Sequence, residues 1–214
     1  MIRSWPWSWI AMPCFCAALA GCGDSDNGDH GGGNPGSPLS EATIKSWEGT
    51  YELTGSTMNS SGCDAEGPST LDSKMERFFV AVGWRVYGTN ILQLASCAES
   101  ADCAATAAAI RELTMYSPEF SLTMSSENGP NELAGFLAMS GYLDGNMCVE
   151  RDYTDIVAMR EGDTLRVESR RIPLRDKPTK DGICWAEAKQ REEAQGQPCA
   201  ELEVLTGTKV GPLP

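Results

Sequence analysis

The residues of this 214-residue chain that could do covalent chemistry are its nine cysteines. Cys14 and Cys16 lie in an apolar leader, Cys22 closes that leader, and Cys63, Cys97, Cys103, Cys148, Cys184 and Cys199 are spread through the rest. The last six are an even set, which in an exported chain predicts three disulfides, with fifteen connectivities open to sequence alone. Spacing favours Cys184 with Cys199, closing a loop worth about 3 kcal/mol in the chain-entropy model. It also favours Cys97 with Cys103 at the foot of an alanine-rich helix, leaving Cys63 with Cys148. Metal ligation is disfavoured because no C-x-x-C pair occurs and the single histidine, His30, lies in a polar glycine-rich segment. Such a histidine cannot be held within reach of a nucleophile, which argues against Ser-His-Asp, Cys-His and H-E-x-x-H chemistry. No phosphate-cradling or dinucleotide-binding glycine motif is present either. Glu150 and Asp152 on one strand face, with Asp155 on the other, are the best carboxylate pair for acid–base hydrolysis. A solvated outer strand face explains them more simply. The expectation is therefore a protein that is not an enzyme and carries no cofactor.

Residues 1–21 have one charge, Arg3, followed by an apolar stretch interrupted by Pro6 and Pro13 and too short for a membrane span. Its last residues, Leu19-Ala20-Gly21-Cys22, resemble the lipobox of bacterial lipoproteins. That resemblance implies cleavage between Gly21 and Cys22, a diacylglycerol on the Cys22 thiol and acylation of the new amino group. More than one acyl chain makes such anchoring stable. In that family an aspartate directly after the cysteine favours inner-membrane retention; here the position is Gly23, so the resemblance implies the outer membrane, with the periplasmic or surface face left open. The chain is thus similar to the uncharacterised lipoproteins of Gram-negative bacteria. Assigning Cys22 to lipid also leaves the remaining six thiols even.

Charge points the same way on partners. The chain carries 17 Lys plus Arg against 30 Asp plus Glu, a formal net charge of −13, and loss of Arg3 makes it −14. Such a surface repels phosphate backbones and anionic headgroups, which disfavours nucleic acid and flat membrane association.

These residues need elements to position them. The segment 22–42 is rich in Gly, Asp, Ser and Pro and reads as a flexible tether, and 43–214 as one domain. Trp47, Gly49, Tyr51, Leu53 and Gly55 alternate with polar residues as a half-buried strand. Turn chemistry surrounds Cys63. Strands follow at Phe78 to Val86, Asn90 to Ala95, Glu119 to Ser125, Glu132 to Leu143, Asn146 to Met159, Thr164 to Ile172 and Cys199 to Thr206. A helix is predicted from Ser100 to Leu113 and a polar one from Trp185 to Gln195, with Arg175 to Gly182 a loop and Lys209 to Pro214 a tail.

About eight mostly antiparallel strands with one or two short helices predict a mainly β fold. An up-and-down barrel fits, with a β-sandwich as the alternative. The stretch "WEGTYEL", Trp47 to Leu53, resembles the opening of lipocalin-type barrels, with its glycine and tryptophan in reversed order. Trp47, Tyr51, Phe78, Trp84 and Phe120 are the candidate lining of an interior that takes a small apolar or amphipathic ligand. The competing expectation is a packed barrel that serves as a structural or protein-interaction module of the envelope. Arg166, Arg170 and Arg171 could meet an anionic ligand or pair with the acidic surface, and the second is favoured.

Overall fold

The computed structural model describes residues 36–74, 76–86, 88–112, 121–143, 147–178 and 187–213. The elements in chain order are β1 (Ser37–Pro38), α1 (Glu41–Trp47), β2 (Gly49–Asn59), β3 (Phe78–Val86), β4 (Thr89–Cys97), α2 (Cys103–Arg111), β5 (Ser121–Gly129), β6 (Glu132–Leu143), β7 (Met147–Glu161), β8 (Thr164–Pro178), α3 (Glu187–Ala194) and β9 (Glu201–Gly211). Strands β2 to β9 pair antiparallel in sequence order, and β9 returns to β2. The result is a closed eight-stranded up-and-down barrel of lipocalin-like form, with β1 as a ninth strand on β5. Closure leaves the barrel strands without a free sheet edge along their paired lengths.

Alternation sets the two faces of the wall. Phe79 and Ala81 of β3 point inward, together with Leu92 and Leu94 of β4, Met124 of β5, Leu133 of β6, Ile156 and Ala158 of β7 and Leu165 and Val167 of β8. Val80 and Val82 point outward, where Cys103, Ala107 and Ile110 of α2 cover them. A second outer cluster joins Phe136, Tyr153, Ile172 and Leu174 to Ala194 of α3. Both helices thus clad a wall whose outward residues are apolar. The β5–β6 seam depends on Gly135, since a Cβ there would meet the Thr123 carbonyl of β5. Gly162, at φ +59°, makes the tight β7–β8 turn that the Glu161-Gly162-Asp163 sequence predicts.

Several expectations change. The first strand begins at Gly49, because Trp47 ends α1. Ser40 caps that helix by accepting a hydrogen bond from the Thr43 amide, and Ile44 and Trp47 are buried on one face. The expected tether therefore gives way before residue 42: Ser37 and Pro38 pair with β5, and Leu39 is buried. β8 continues through the expected 175–182 loop as far as Pro178, because β7 offers it partners at Glu150 and Val149. β9 continues through the expected tail to Gly211, paired there with Thr50. β5 runs from Ser121 to Gly129; Glu119 and Phe120 lie outside the described residues.

The disulfides change as well. Cys97–Cys103 forms as the spacing predicts, with Cα atoms 5.2 Å apart. Cys63, however, pairs with Cys199, with Cα atoms 5.8 Å apart, in place of the expected Cys63–Cys148 and Cys184–Cys199 bridges. The register explains it: Asn59 of β2 lies opposite Leu202 of β9, so the chain leaving β2 and the chain entering β9 meet. The side chains of Cys148 and Cys184 lie outside the description.

Candidate functional site

The two halves of the barrel interior differ. Toward α1 the filling is apolar: Trp47, Tyr51, Leu92, Met124, Leu133 and Leu165 have no exposed surface, so none borders a space that admits water. Helix α1 closes this end. The Tyr51 hydroxyl donates to the Trp47 carbonyl at 2.7 Å, and its ring stacks on Phe79 with centroids 5.3 Å apart. Arg160, at the end of β7, lies over the Trp47 ring, 5.0 Å from its centroid, and donates to the Ser46 carbonyl. Burial pushes the Tyr51 hydroxyl up to about 12; Arg160 opposes the shift and Asp163 adds to it.

Toward the opposite end, the inward positions become polar. Ser96 lies opposite Phe79 and is buried, as is Ser56 of β2, whose hydroxyl meets that of Thr70 at 2.7 Å. Glu203, two residues from the inward Leu205, takes a 2.7 Å ion pair from Lys74 in the β2–β3 connection. Arg171, opposite Thr154, pairs with Asp152 at 3.2 Å and with Glu201 at 3.5 Å. Leu137 shares this face, being opposite Thr154 and in phase with Leu133, yet it is 48% exposed. Strand β6 is paired with β5 only as far as Gly135, so Leu137 stands just past the rim. The arrangement can seat a small molecule whose apolar part meets Leu137 and whose polar part exchanges hydrogen bonds with hydroxyls and paired charges. Its ion pairs are partly exposed, so each is worth little as stabilisation and can be rearranged at small cost.

The predicted lining residues divide. Trp47 and Tyr51 are interior, at the apolar end. Phe78 and Trp84 belong to the outer cluster under α2, because Phe79 and Ala81 take the inward phase of β3. Phe120 lies outside the described residues. The carboxylates divide too. A register shift on β7 separates Glu150 from Asp152, which interrupts the alternation that would put them on one face, and the Glu150 side chain is outside the description. Asp152 is engaged by Arg171, and Asp155 lies on the outer face, where burial raises its pKa against the pull of Arg191 and Arg170. The arginines meet acidic partners: Arg166 pairs with Glu66 and Glu168, and Arg170 with Glu168. Burial pushes the Glu168 carboxyl up, but its hydrogen bonds from Arg166 and Arg170 outweigh that and hold it below the usual range.

Lys74, Arg160 and Glu203 were not legible as site residues. Each is a charged residue in a chain rich in them, and only the closed register brings it to the interior. Among the described residues no group of three His, Cys, Asp or Glu side chains could hold a metal ion, and no helix is long and apolar enough to cross a membrane. Comparison with family models, curated proteins and solved structures finds no match to this chain.

Proposed function

We propose that this chain is an exported lipoprotein, fastened by lipid on Cys22 to the outer membrane, whose barrel binds a small amphipathic ligand at its polar end. The observation that carries the binding reading is the change of character along the interior, from a filled apolar half to a polar rim where inward-facing Leu137 is 48% exposed. A solid floor with an amphipathic rim suits a shallow, reversible site that recognises a ligand through both parts. The reading is non-catalytic; among the described residues, the rim acids Asp152, Glu201 and Glu203 are engaged in ion pairs.

The filled floor also favours a second reading, in which the barrel is a rigid scaffold for an envelope protein and holds no small molecule. Native mass spectrometry of the protein released gently from membranes separates the two. A bound small mass that is lost in Leu137→Arg supports the first reading. An empty barrel that cross-links to a protein partner supports the second. The anchor has its own test: Cys22→Ser is expected to move the protein from the membrane to the soluble fraction, and retention in the membrane would remove the lipid-anchor reading.

A further inference from the structure

We propose that the barrel stands on its membrane with the α1 end toward the lipid and the polar rim facing away, so that its ligand arrives through water and not from the bilayer that holds the protein. The inference rests on the Cys22 anchor and the rim site proposed above, and adds their relative placement. The described chain enters the fold at Ser37 and Pro38, which pair with Glu127 and Ser126 near the end of β5. That position belongs to the α1 end, the end at which β5 turns into β6 and β7 into β8.

Residues 23–36 separate Cys22 from that entry point, fourteen residues in all. Fourteen residues reach at most about 48 Å when fully extended. A glycine-rich chain of that length, such as 23–36 with its six glycines, has an r.m.s. span of roughly 20 Å as a coil. The wall it would have to bypass is longer than that span: β9, from Glu201 to Gly211, is about 33 Å along its own axis, which at the usual barrel tilt makes a wall about 25 Å high. Turning the polar rim to the lipid would require the segment to stretch past its coil span and run down the outside of the barrel, against chain entropy. The opposite orientation requires nothing of the kind.

The surface at the α1 end presents one exposed large apolar side chain among the described residues, Val210 near the end of β9, and two polar turns. Its β5–β6 and β7–β8 turns expose Asn128, Asn131, Glu161 and Asp163, which are polar or acidic and have no apolar loop to insert. The rim at the other end is then held a barrel's length from the headgroups. A lipid still seated in the anchoring bilayer cannot reach Leu137 and Arg171 from there. A water-borne amphiphile, with an apolar portion and a polar group able to exchange with the rim's hydroxyls and charges, can.

The test uses the full lipidated chain in vesicles of phosphatidylethanolamine and phosphatidylglycerol that carry a headgroup-linked energy acceptor. A donor is attached under non-reducing conditions to Asp163→Cys at the α1 end or to Glu192→Cys on α3, both exposed positions. Matching melting curves confirm that each variant folds. Severalfold greater transfer from position 163 than from 192 is expected, and equal or greater transfer from 192 would overturn the orientation. Cys22→Ser in the same vesicles is expected to lose transfer at both positions. If the lipidated parent itself fails to associate with vesicles, the anchor reading falls and takes the orientation with it; vesicle association without the expected asymmetry removes the orientation alone.

Discussion

At the scale of single residues, the best-defined arrangement is the closure of the α1 end by Trp47, Tyr51 and Arg160. The two aromatics are visible in the sequence as large residues in a periodic stretch, and both are buried. Arg160 is not visible, because it acts on Ser46 and Trp47 from more than a hundred residues away. A cation held over a desolvated indole is worth about 1–2 kcal/mol. Arg160→Ala is expected to cost about that much in denaturant melts and to shift Trp47 emission to the red, whereas Arg85→Ala, at an exposed position, leaves both unchanged. Tyr51 gives a pH signature. Its folded-state pKa, near 12, lies above its unfolded value near 10, so the neutral hydroxyl is favoured by folding. The associated stability is complete below about pH 10 and declines as pH rises toward 12. Tyr51→Phe is expected to flatten the loss of thermal stability across that window, at a cost of about 1 kcal/mol at neutral pH for the hydrogen bond to Trp47. An unchanged alkaline profile in the variant would remove the assignment.

At the scale of elements, legibility followed hydrophobic period. β3 and β6 occupy the spans the alternation predicts because one or both faces are packed, so every second side chain is constrained. Helix α1 was missed although its cues are present: Ser40 as cap, then Ile44 and Trp47 three apart. Seven residues give too few turns for a helical period to outweigh the two-residue alternation that starts at Trp47. The run from Arg175 to Pro178 reads as a loop from its polarity, but extends β8 because backbone pairing with β7 does not depend on side-chain character. Gly135 tests how the β5–β6 seam is built. A side chain there meets the Thr123 carbonyl, and backbone cannot rotate aside as a flexible side chain can. Gly135→Val is expected to cost about 1–3 kcal/mol, the usual range for overpacking. Hydrogen exchange should speed up first in amides along the β5–β6 seam; uniform acceleration around the barrel would show that the seam is not the weak line.

At the scale of the whole molecule, the even count of thiols was legible but their pairing was not, because pairing depends on which strand ends the closed sheet brings together. The β2–β9 pairing that closes the barrel also juxtaposes Cys63 and Cys199, 136 residues apart in sequence, while Cys97 and Cys103 are six apart. In the chain-entropy model the longer loop stabilises by about 5 kcal/mol and the shorter by about 2. The long bridge constrains the unfolded chain across most of the domain, and the short one only fastens the start of α2 to the end of β4. Replacing Cys63 and Cys199 together with alanine is therefore expected to lower the melting temperature substantially more than replacing Cys97 and Cys103 together. Non-reducing peptide mapping supplies the covalent half of the same prediction: linked peptides containing Cys63 with Cys199 and Cys97 with Cys103, and, as the remainder of an even set, Cys148 with Cys184. A map that joins Cys184 to Cys199 would contradict the register in which β9 enters the barrel. A map with the expected links but equal melting shifts would leave the fold intact and place the long bridge's effect in native-state strain or residual unfolded structure rather than in loop closure.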